Sequence, residues 1–96
     1  MVKHVVLMQK KSETSEAQMD ELMSQLAALK KAIPDIRDFQ GGKNVSIEGM
    51  ARGYTHGFVM TFDSTEKIAA YLPHPEHKKA GARVKELCDS VLVMDF

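Results

Sequence analysis

Residues 2–9 (VKHVVLMQ) place Val2, His4, Val6 and Met8 on one side of an extended chain, and Lys3, Val5, Leu7 and Gln9 on the other. A strand apolar on both sides is expected to be covered on both sides. A polar run, KKSETSEAQ, follows, with Ser15 and Gln18 spaced as a capping box at a helix start. Met19, Leu22, Met23, Leu26, Leu29 and Ile33 then recur at helical spacing, laying one apolar stripe along roughly five turns. Pro34 ends that helix, because the residue before a proline is pushed out of helical geometry.

Residues 36–46 (IRDFQGGKNVS) read as a weaker strand, in which Gly41-Gly42 marks a bulge or a close backbone approach. After a loop, residues 53–62 (GYTHGFVMTF) alternate: Tyr54, His56, Phe58, Met60 and Phe62 lie opposite Thr55, Gly57, Val59 and Thr61. Ser64 caps a short helix through Leu72, and Pro73 and Pro75 punctuate the chain around His74. A third helix over about 76–88 turns Val84 and Leu87 inward, and residues 90–96 (SVLVMDF) close as a strand. The order β-α-β-β-α-α-β predicts an α+β, ferredoxin-like four-stranded antiparallel sheet with helices on one face. The other face stays largely apolar whichever side the helices cover. Two such faces packed together would form a dimeric α/β barrel, so a homodimer is expected.

Ninety-six residues suit one domain over 1–96. A chain this short buries only about 60–65% of its unfolded surface, so a partner subunit would help it. Thirteen Lys and Arg balance 13 Asp and Glu, which argues against nucleic acid as a partner. The lone Cys88 cannot form an internal disulfide, and no apolar run is long enough to span a bilayer. With a strand pattern entered by Val2 there is no room for a signal peptide, and a cytoplasmic location is expected.

The candidate chemistry lies in four histidines: His4, His56, His74 and His77. His4 and His56 fall on apolar strand faces, where hydrogen-bonded core histidines are the common outcome. His74 and His77 lie in YLPHPEHKKAG, a helix start, with no third metal-ligand type nearby. If the four line one cavity, imidazole suits proton transfer there, and the Tyr71 phenol can donate to a developing oxyanion. No nucleophile elbow, phosphate loop or dinucleotide fingerprint is present.

VKHVVL, GGKN, GYTHGFVMTF, YLPHPEHKKAG and the terminal VLVMDF, in that order, resemble the stress-responsive dimeric α/β barrel (Dabb) family. The resemblance implies a homodimer with a small-molecule cavity, and in one branch a polyketide cyclase that runs an intramolecular aldol condensation without cofactor. It places the catalytic pair on Tyr71 and His77, and pocket-lining histidines on His4, His56 and His74. The apolar walls fall on Val6, Met8 and Phe58. Leu26 stands where the cyclase carries a phenol, and Ala80 and Cys88 replace bulky aromatics. The expected function is a stress-responsive barrel protein binding a small apolar ligand, either as a cyclase- or lyase-like enzyme on a β-keto substrate or as a non-catalytic binding homodimer.

Overall fold

A computed structural model describes residues 1–96. The elements run β1 (Val2–Lys10), α1 (Glu16–Ala32), β2 (Asp38–Lys43), β3 (His56–Phe62), α2 (Thr65–Tyr71), α3 (Pro75–Leu87) and β4 (Cys88–Asp95). The strands form one antiparallel sheet in the order β2-β3-β1-β4. The element order is the expected one. Three boundaries differ: β2 is shorter, β3 begins at His56 with Gly53 to Thr55 outside it, and Cys88 caps α3 and opens β4.

Local chemistry accounts for the helix ends. The Ser15 hydroxyl accepts from the Gln18 amide at 3.1 Å, and the Gln18 side chain accepts from the Ser15 amide at 2.9 Å, so two orphan donors of α1 are satisfied reciprocally. Met19, Leu22, Leu26 and Leu29 bury the α1 stripe against the sheet and α3. Ser64 caps α2, and the His74 imidazole caps α3 by accepting from the Glu76 amide at 3.1 Å.

The helices cover the face carrying His4, Val6, Met8, His56, Phe58, Met60 and Phe62, which settles which of the two faces is inside. Val5 and Leu7 point the other way, opposite Met94 and Leu92 of β4. That outer face and the 44–55 loop display Leu92, Met94, Val45 and Ile47 to solvent.

Gly41 shows the close approach suggested by its sequence. A Cβ there would lie 2.8 Å from the Phe58 Cβ and 2.9 Å from the Met23 methyl, while the β2–β3 register stays continuous. Gly41→Ala is therefore expected to destabilise the fold by about 1–3 kcal/mol through overpacking, measured by urea unfolding. Gly42→Ala, whose Cβ meets nothing within 4 Å, should cost less.

Candidate active site

A cavity of about 460 Å³ opens between α2 and α3 on one side and β1 and β4 on the other. It exists because β4 is an edge strand that α3 only partly covers: Val91 and Val93 face the helix side yet remain exposed. Val6, Phe58, Leu26, Ile68 and Val84 make most of its wall apolar.

Four polar side chains gather at one end. His4 and Asp95 are cross-strand neighbours, and the His4 Nδ1–H donates to an Asp95 carboxylate oxygen at 2.6 Å. That bond leaves the neutral ring's Nε2 as an acceptor. Tyr71, on the last turn of α2, stands between the two imidazoles, with ring centroids 6.1 Å from His4 and 4.5 Å from His77. Its ring is 2% exposed and its hydroxyl makes no hydrogen bond within the chain. Burial pushes the phenol up to about 12, so it stays protonated and able to donate across the neutral range. His77 lies in the first turn of α3, where its Nδ1–H donates to the Leu72 carbonyl at 2.7 Å. A carbonyl can only accept, so the neutral His77 ring carries its proton on Nδ1 and has Nε2 as its acceptor nitrogen.

Of the eight residues singled out by sequence, the cavity collects His4, Val6, Phe58, Tyr71 and His77. Met8, His56 and His74 are not among its walls. Met8 and His56 pair at the far end of β1 and β3, and His74 is committed to capping α3. Tyr71 is 2% exposed and belongs to the buried cluster. Asp95 is a polar wall residue that the sequence candidates do not include. It continues the helix-facing alternation of Val91 and Val93, but only the β1–β4 register brings it to His4. No group of three or more His, Cys, Asp or Glu side chains is arranged to hold a metal ion.

His56 belongs to a different cluster. Its Nδ1 meets the Thr55 hydroxyl at 2.9 Å, its Nε2 lies 3.9 Å from Glu16, and the side chain is 2% exposed. Burial lowers its affinity for a proton below the ordinary value of 6.5, with Glu16 opposing that effect. The folded state then binds fewer protons at this ring than the unfolded chain does, so its contribution to stability is present above about pH 6.5 and is lost on acidification. Melting temperature should fall between pH 7.5 and pH 5, and fall less in His56→Gln. An equal fall in the variant would remove His56 from that acid response.

A four-stranded antiparallel sheet with helices on one face, and an apolar cavity ending in a histidine–carboxylate pair, defines an α+β protein of ferredoxin-like build. The chain belongs to the stress responsive A/B barrel domain family, whose model matches residues 2–96. It is 40% identical to the stress-response A/B barrel domain-containing protein HS1 of Arabidopsis thaliana, over 99% of this chain and 87% of that protein. It is 34% identical to olivetolic acid cyclase of Cannabis sativa, over 99% of this chain and 94% of the cyclase. The solved structure of a dimeric ferredoxin-like protein from a Jannaschia species superposes with a TM-score of 0.87 at 29% identity, covering 99% of this chain and 96% of that one. No helix is long and apolar enough to cross a membrane.

Proposed function

We propose that this protein is a cofactor-independent enzyme acting on a β-keto or comparable carbon acid, with its 96 residues working as one domain of a homodimer. The observation that carries this reading is the Tyr71 phenol. It is buried, protonated and without a partner in the chain, and it stands beside an imidazole whose acceptor nitrogen is free. His77 Nε2 takes the proton from a carbon flanked by carbonyls, and Tyr71 donates to the enolate oxygen as charge develops. The enolate carbon bonds to a second carbonyl of the same molecule, and the alkoxide so formed takes the proton back from the His77 imidazolium. Asp95 holds the His4 ring in place at the same end of the cavity. The apolar wall excludes water from the enolate. The cyclase among the relatives supports this reading by name.

The homodimer is supported by the exposed apolar outer face and by the dimeric Jannaschia structure. Met8, His56 and His74 contribute through the scaffold in this reading, not as wall residues.

The test is incubation of linear β-polyketones with the protein in the presence of a chelator, followed by product analysis. Cyclised product formed under those conditions supports the enzyme. If ligands raise the melting temperature and none is consumed, the chain is a binding protein and the catalytic reading falls.

A further inference from the structure

The walls of the cavity carry a second polar feature, at the end away from Tyr71. His77, Ala80, Gly81, Val84 and Lys85 all line it, and they form one stripe along α3. Lys85 lies two helical turns beyond His77, about 12 Å along the axis. The strand on the opposite wall runs the same course. Because β4 begins directly after α3 at Cys88, Val91 lies near the Lys85 end, and Asp95 lies at the histidine end beside His4. The middle is apolar and shallow-walled, since Ala80 is small and a Cβ on Gly81 would meet nothing within 4 Å.

Lys85 has no acid of its own. On the same helix Lys79 is paired with Glu76 and Arg83 with Glu86, and across the cavity Asp95 is taken by His4. A lysine in such a place lays its methylenes along the apolar wall and holds its ammonium at the rim. The cavity therefore reads, from end to end, as proton-transfer groups, an apolar stretch and an unpaired cation. We infer that Lys85 is a specificity-determining residue that selects an elongated ligand with an apolar middle and a carboxylate at the end remote from the reacting carbonyl. The inference rests on the cavity being the ligand site, as proposed above.

Octanoate and octanol separate the charge from the chain. By titration calorimetry, wild-type protein should bind octanoate about threefold to fivefold more tightly than octanol, the worth of one ion pair at an exposed rim. Lys85→Met keeps the apolar stem and should bring octanoate down to the level of octanol, with octanol unchanged. Lys78→Met, on the same helix and away from the cavity wall, should leave the preference intact. Equal binding of the two ligands by wild type, or a preference that survives Lys85→Met, overturns the role of Lys85 and leaves the cavity reading standing. A preference lost in His77→Ala instead puts the carboxylate at the other end and also overturns it. If neither ligand binds, the cavity reading fails and this inference fails with it.

Discussion

His77→Ala is expected to lower the rate of carbon-acid turnover by about 100-fold or more while leaving the melting temperature within a few degrees of wild type. The large kinetic effect follows from the proposed role: with Nδ1–H donating to the Leu72 carbonyl, Nε2 is the nitrogen that would serve as base, and alanine supplies none. The small thermal effect follows from position, because His77 is partly exposed in the first turn of α3 and is absent from the packed core. Tyr71→Phe should slow turnover less, since the base remains in place. Its cost in stability should also be small, because the hydroxyl it removes has no partner in the chain. His4→Ala behaves differently. It removes a buried ring that stands edge-on to Phe62 and Tyr71 and leaves the Asp95 carboxylate without its donor. A loss of about 1–3 kcal/mol is expected there. Turnover assays and thermal melts on the three variants check the set. A His77 variant that loses more stability than the His4 variant, or that keeps its rate, overturns the assignment of base and scaffold.

The architecture was legible because each element announces itself locally. The capping box at Ser15, the stop at Pro34, the alternation through His56, Phe58 and Met60 and the cap at Ser64 all appear in the structure. Which sheet face the helices cover was not legible, since both faces of β1 are apolar and period-two alternation assigns residues to a face without saying which face is inside. The site was only partly readable for a related reason. Tyr71 and His77 are brought together by a turn of a few residues, so their meeting is local. The meeting of His4 with Asp95 depends on the β1–β4 register, a contact between the two ends of the chain that no local pattern reveals. The distance of His56 from the cavity also depends on register. It shares a face with His4 but pairs with Met8, while His4 pairs with Met60.

Leu92→Asp is expected to convert a dimer into a monomer that is still folded. Leu92 lies directly opposite Leu7 on the outer face of the sheet, and together with Val5 and Met94 the two make an apolar surface that no helix covers. A two-fold interface carries the substitution twice, once from each copy. Each carboxylate would enter a dry contact without a partner, at a cost of about 3 kcal/mol or more. Dissociation should therefore rise by at least about 10,000-fold, enough to see in sedimentation across the micromolar range. The fold itself should survive, because Leu92 is about half exposed in the isolated chain and contributes nothing to the buried cluster. Phe58→Asp provides the contrast. Phe58 stacks on Phe39 at 5.5 Å beneath the helices, so a charge there should unfold the chain and not merely dissociate a pair of folded copies. The two variants thus distinguish the inner face from the outer one. Wild-type protein that sediments as a monomer, or a Leu92→Asp variant that stays dimeric, would show that this face is not what joins the copies.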